Sequence, residues 1–206
     1  MARPQKITNE EILAAARQVF IEQGMGASTS VIAERAGISE ASIFKRFNTK
    51  QALFMAAMGI DPNPPWIKLI TQQPPSSDMK ARLRDIFGQM LEFYQDVLPR
   101  MMIMMANRTI PTPAQFFPPP PVRDSQLLAD YLERAIAAGY LRPCNANAVS
   151  AMIVGGLVNY SMTRAIFTRF HDQLPIPLPM PLTMPAEPQQ FVSDLAEVLW
   201  SGIAPD

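Results

Sequence analysis

The sequence predicts an all-α protein in two parts, a small N-terminal helix-turn-helix unit of three helices and a larger helical remainder. Three observations carry this. Apolar residues recur at steps of three and four, as in Ile12, Leu13, Ala16, Val19 and Phe20, and again in Leu83, Ile86, Phe87, Met90, Leu91, Tyr94, Val97 and Leu98. No alternating strand pattern lies between these stretches. Twenty of the 21 prolines fall after residue 58, in the runs DPNPPW, QQPPSSD, IPTPAQFFPPPPVRD and LPIPLPMPLTMPAEP. Proline lacks a backbone donor and pushes the preceding residue out of the α region, so each run is read as a loop between helices. The domain boundary is placed accordingly, at 1–58 and 59–206.

The first helix, near 8 to 23, presents Ile12, Ala16, Val19 and Phe20 on one face and is closed by Gly24. Ser28 or Thr29 can cap the second, near 29 to 36, which ends at Gly37. Gly37 permits a tight turn, Ile38 plugs it, and Ser39 caps a third helix near 40 to 47, with Glu40 at its positive end. A fourth follows near 50 to 58. Beyond the first proline run, helices are expected near 79 to 98, 100 to 107, 124 to 138, 146 to 170 and 188 to 202. The seventh carries Leu127, Leu128, Tyr131, Leu132, Ala135 and Ile136 at helical spacing.

Composition narrows the function. Eighteen Lys and Arg balance eighteen Asp and Glu, which excludes a uniformly basic coat and leaves room for a local basic patch. Residues 1–58 hold seven basic against five acidic side chains, and the remainder eleven against thirteen. The lone Cys144 makes no intramolecular disulfide, and Glu10 and Glu11 stand where a signal peptide needs its apolar run, so a reducing cytoplasm is expected. Val149 to Phe167, the most hydrophobic window, is interrupted by Asn159, Ser161 and Arg164 and is read as a buried helix, with no membrane partner. One histidine (His171), one cysteine, no glycine-rich phosphate loop and no metal-spaced cluster leave the parts for catalysis missing; no enzyme, metal site or cofactor is expected.

In GISEASIFKRF, residues 37 to 47, Ile43 and Phe47 are the regularly spaced apolar anchors. The opposite face starts with Glu40, Ala41 and Ser42, short enough to admit a backbone to a DNA major groove, and continues with Phe44, Lys45 and Arg46. Lys50 lies at the next helix start, where backbone amides favour phosphate. On spacing alone, a helical hairpin of an ordinary bundle and a DNA reader fit equally well.

The run ILAAARQVFIEQGMGASTSVIAERAGISEASIFKRFNTKQALFMAAM resembles the DNA-binding domain of the TetR family of bacterial transcriptional regulators over residues 8 to 58, through F-x-E-x-G, IAERAGIS and F-x-T-K-x-x-L. The resemblance implies that Thr29 and Ser30 touch phosphate or a base, that Glu40, Ala41 and Ser42 read bases, and that Lys45, Arg46 and Lys50 contact the DNA backbone. For Glu40 two readings stay open: acceptor from a cytosine amino group, or a first-turn acid that only complements the helix dipole. Phe44 departs from the pattern, standing where the family commonly has a phosphate-binding tyrosine; it can pack but cannot donate. The stretch from Gly24 to Ile32 is also a residue shorter than the family's.

Farther on, AAGYLRP, a long apolar helix and DLAEVLWSGI resemble the end of the family's regulatory and dimerisation domain. Val149, Met152, Ile153, Gly156, Tyr160 and Phe167 are expected on one face of the penultimate helix and Val154, Leu157, Val158, Met162 and Ala165 on another, one face lacking a partner within the monomer. In the last helix Phe191, Leu195 and Val198 are set against Ala196, Leu199 and Trp200. With the resemblance, these faces imply a homodimer on a palindromic operator in double-stranded DNA; the alternative is a central helix wrapped on all sides by its own domain. MMIMMA, residues 101 to 106, is apolar all round and is expected to be buried, as ordinary core or as the wall of a pocket. The resemblance implies a small apolar effector among these helices, with Met90, Tyr94, Met101, Met104, Met105, Asn159 and Tyr160 as its lining. Arg100 and Arg108 are read as ligand contacts or solvated helix ends. The leading expectation is a ligand-responsive repressor; the alternative is a helical protein-interaction module with auxiliary DNA binding and no small-molecule effector.

Overall fold

The structure, a computed structural model, describes residues 7–59, 61, 63–106, 118–170 and 187–205. Among these the secondary structure is entirely helical: α1 (Asn9–Gln23), α2 (Thr29–Ala36), α3 (Glu40–Phe47), α4 (Lys50–Ala57), α5 (Pro65–Gln72), α6 (Met79–Ala106), α7 (Pro120–Ala137), α8 (Ala146–Phe170) and α9 (Pro188–Ile203). Two compact units divide within α6. One holds α1 to α4 and α6 from Pro99 onward; the other holds α5, α6 up to Leu98, and α7 to α9.

In the first unit the helix ends are written locally. Thr8 and Glu11 form a capping box at the start of α1. Ser28, Ser39 and Thr49 each accept a backbone N–H at the starts of α2, α3 and α4. Gly37 adopts the left-handed conformation (φ 68°, ψ 29°), and Ile38 N–H reaches back to the Ala33 carbonyl at 3.0 Å. Packing of α1 against α2 and α4, and of α3 against both α2 and α4, buries Ile12, Ala16, Val19, Phe20, Ile32, Ile43, Leu53 and Phe54. Phe20 and Phe54 meet edge to face at 5.0 Å.

The second unit packs α7 on α8 and on α5. Its core includes Trp66, Ile70, Met79, Phe87, Met90, Tyr94, Leu128, Tyr131, Leu132, Ile153 and Leu157. The Arg134 guanidinium donates to the Ile70 carbonyl at 2.7 Å, satisfying the end of α5, and Lys80 pairs with Glu197 at 2.7 Å.

Three proline expectations are corrected. DPNPPW is not only a loop: Pro65 opens α5, whose Trp66, Ile67 and Ile70 are buried. Proline suits the first helical position because its missing N–H has no intrahelical acceptor there. For the same reason α7 begins at Pro120 instead of residue 124. The split between 79–98 and 100–107 also disappears, because α6 runs through Pro99. An interior proline costs about 3 kcal/mol; burial of the apolar Val97, Leu98 and Met104 on either side opposes that cost.

Met101–Ala106 is not buried all round: Met104 is buried, whereas Met105 is 73% exposed and Met102 is exposed as well. Only one side of this turn of helix meets the core. Arg100, read as a ligand contact or a solvated end, is buried and donates to the Gly59 carbonyl. Arg108, His171 and most of the IPTPAQFFPPPPVRD and LPIPLPMPLTMPAEP runs lie outside the described residues. The faces of α8 also differ from expectation: Ile153, Val154, Leu157 and Tyr160 share the buried side, while Met152 and Ile166 are exposed. The polar residues of α8, among them Asn147, Ser150, Asn159 and Ser161, fall on different sides of the helix, and Ser150 and Ser161 are themselves buried, so no single polar stripe sets the phase.

Candidate nucleic-acid interface

The starts of α2 and α3 are built alike. Ser28 caps α2 through the Ser30 N–H, with the two hydroxyls 2.6 Å apart; Ser39 caps α3 through the Ser42 N–H, with hydroxyls 2.8 Å apart. Thr29 is the first residue of α2. Its hydroxyl donates to Oε1 of Glu40, the first residue of α3. Thr29 is buried, whereas Ser30, Glu40 and Ala41 are exposed and Ser42 is half-buried.

On α3, Ile43 is buried as expected, but Phe47 is only half-buried. Phe44 is 39% exposed, an aromatic ring on the outer side of a helix whose last turn carries Lys45 and Arg46. Lys45 is exposed. Arg46 instead reaches the start of α1, donating to the Ile7 carbonyl at 2.7 Å and to Asn9 Oδ1 at 3.2 Å. Lys50, half-buried, is the first residue of α4 behind the Thr49 cap. The Arg46 and Thr29 partnerships join residues far apart in sequence and leave no local pattern from which to read them.

On the far side of α2, Arg35 pairs with Glu22 of α1 at 2.7 Å. The hydrogen bond from Arg35 holds the Glu22 carboxyl below its ordinary value and raises the guanidinium in return. The pair is exposed and only supplements the apolar packing of α2 on α1.

The proposed effector lining is divided. Met101, Met104 and Met105 belong to the first unit, and Met90, Tyr94, Asn159 and Tyr160 to the second. Met90, Tyr94, Met104 and Tyr160 are buried, Met101 is half-buried, and Met105 and Asn159 are exposed. The Tyr94 hydroxyl is engaged by Asp124, and the Tyr160 ring stacks on Phe191 at 4.3 Å. A cleft of about 230 Å³ in the second unit is lined by other residues, among them Asp78, Lys80, Arg84 and Glu197. Among the described residues there is no group of three metal-binding side chains, and no helix is long and apolar enough to cross a membrane.

Residues 12–57 match the model for bacterial regulatory proteins of the tetR family. Over 52 residues the chain is 46% identical to an uncharacterized HTH-type transcriptional regulator, YvkB, of Bacillus subtilis (strain 168); the match spans 25% of this chain and 28% of that relative. The whole fold is similar to a gamma-butyrolactone receptor (ArpA-like protein), at 18% identity and a TM-score of 0.61, covering 96% of this chain and 88% of the other. It is also similar to a putative TetR-family transcriptional regulator from Mesorhizobium loti MAFF303099, at 16% identity and a TM-score of 0.58, covering 95% and 96%.

Proposed function

We propose that this chain, whose residues 12–57 match the bacterial regulatory proteins of the tetR family, is a ligand-responsive repressor acting as a homodimer on a palindromic operator. The observation that carries the reading is the α2-turn-α3 arrangement. Gly37 sets the turn, and the exposed head of α3 presents Glu40 and Ala41 with Ser42 beside them. A helix whose first turn has short side chains can enter a major groove, and Lys45 and Lys50 supply charge for the phosphates on either side. A two-fold dimer presents two such helices, so its site is an inverted repeat.

The effector is a small apolar molecule held by residues 59–206, with Met90 and Tyr160 as buried lining candidates. It acts by binding the DNA-incompetent form more tightly than the competent one, since only differential affinity shifts such an equilibrium. The place of action is the cytoplasm. Selection from a random double-stranded DNA pool tests the reading: an enriched inverted repeat is expected, and enrichment of no sequence overturns it. A thermal-shift screen of apolar compounds, followed by operator binding with each hit, tests the effector.

A further inference from the structure

The bond between Thr29 and Glu40 links the first residues of α2 and α3. A hydroxyl carries one proton. Donated to Glu40, it leaves Thr29 with acceptor lone pairs only, and a phosphate oxygen, itself an acceptor, gains nothing from them. Thr29 is moreover 8% exposed. Glu40 has the opposite character: it is exposed, and its Oε2 takes no part in the bond. A flexible carboxylate beside DNA would swing away from the phosphates, yet one of its oxygens is tied down at the head of the reading helix, next to the short side chains of Ala41 and Ser42.

A carboxylate only accepts, so the base it meets must present a donor in the major groove. Cytosine offers its N4 amino group; adenine sets the acceptor N7 beside its amino group, which suits an amide better than a carboxylate. We infer that Thr29 is a positioning residue and not a phosphate contact, and that the Glu40 it holds selects a cytosine in each half-site. This rests on the DNA-binding reading above.

The test uses the full chain and the DNA site that it enriches from a random pool. Affinity is measured for that site, for each single base-pair variant and for random DNA, over a series of salt concentrations. At one C·G pair per half-site the wild type is expected to discriminate by roughly 10-fold or more. Thr29→Val lowers that discrimination several-fold and leaves random-DNA affinity and salt slope unchanged; Thr29→Ser, which keeps the hydroxyl, restores it. Glu40→Gln, which adds a donor beside the acceptor, moves the preference at the same pair to adenine. Uniform weakening by Thr29→Val with a salt slope lower by about 0.9 per half-site would make Thr29 a phosphate contact and overturn the inference. An unchanged base preference in Glu40→Gln also overturns it. If the wild type enriches no sequence, the DNA-binding reading fails and takes this inference with it; an enriched site insensitive to both residues removes this inference alone.

Discussion

The Tyr94 hydroxyl donates to Asp124 Oδ2 at 2.9 Å, joining the middle of α6 to the early turns of α7. Both residues are fully buried, and Arg123 Nε donates to the other carboxylate oxygen at 2.8 Å. Burial raises the Asp124 carboxyl from 3.8 to about 6, against the lowering effects of Arg123 and Tyr94. The tyrosine is raised too, by burial first and then by the neighbouring carboxylate.

Stability therefore carries a pH signature from Asp124. Between pH 3.8 and about 6 the unfolded chain releases this proton while the folded chain retains it. The contribution is full below that window and is lost as pH rises through it, on the order of 3 kcal/mol in all. Asp124→Asn removes the dependence. Urea unfolding of both proteins from pH 4 to 7 checks this through the difference between the two profiles; parallel profiles would contradict it.

Local chemistry made the first unit legible. The periodicity of Ile12, Ala16, Val19 and Phe20, the glycines at 24 and 37, and the cap at Ser39 all act within a few residues of themselves. Pro65 and Pro120 misled because the same missing N–H that breaks a helix interior suits a helix start. The partners of Arg46, Ile7 and Asn9, are nearly forty positions away, and the choice of Glu40 for Thr29 depends on how α2 meets α3. Neither follows from spacing. In α8 the division between Ile153 and Met152 required neighbouring helices to show which side is covered.

Gly37 tests the turn that sets α3. A Cβ there would meet only Ile7 Cδ1, at 3.8 Å, an ordinary contact, but φ is +68°. The cost of Gly37→Ala is thus conformational, roughly 1–2 kcal/mol. Gly37→Asn is expected to lose less, since asparagine tolerates this conformation. Chemical denaturation ranks the three proteins, and equal losses for Ala and Asn would point to a steric origin instead.

Arg46 is expected to act mainly on folding. Its guanidinium ties the last turn of α3 to the start of α1 through two acceptors, so Arg46→Ala should lower the unfolding free energy by roughly 1–2 kcal/mol. The salt dependence of DNA binding should stay as it is. A slope reduced by about one per half-site, with stability unchanged, would make Arg46 a phosphate contact.

Lys50 is the contrasting case. As a lysine at the first position of α4, it is suited to a phosphate, and a phosphate carries no sequence information. Lys50→Ala should weaken binding to specific and random DNA alike and lower the salt slope by about 0.9 per half-site. Isotherms from 50 to about 200 mM salt span the range in which that term is large. Unaltered affinity across the series would remove Lys50 from the interface.

The proposed homodimer can be tested on faces that the protomer leaves open. On α8, Met152, Gly155, Asn159 and Ile166 recur at helical spacing and are all exposed; a Cβ added at Gly155 would meet nothing within 4 Å. On α9, Val198 is 71% exposed, while Val192, Ala196 and Ile203 are buried. Covering such apolar side chains with a second copy adds hydrophobic stabilisation, and a carboxylate placed among them would have to be desolvated without a partner. Met152→Asp with Val198→Asp should therefore convert a dimer that persists at nanomolar concentration into a monomer at micromolar concentration. Helix content by circular dichroism should be unchanged, because neither side chain supports the protomer's own core. Operator affinity should fall toward that of a single half-site. Sedimentation equilibrium decides the matter: a double variant that remains dimeric would exclude these faces of α8 and α9 from the interface.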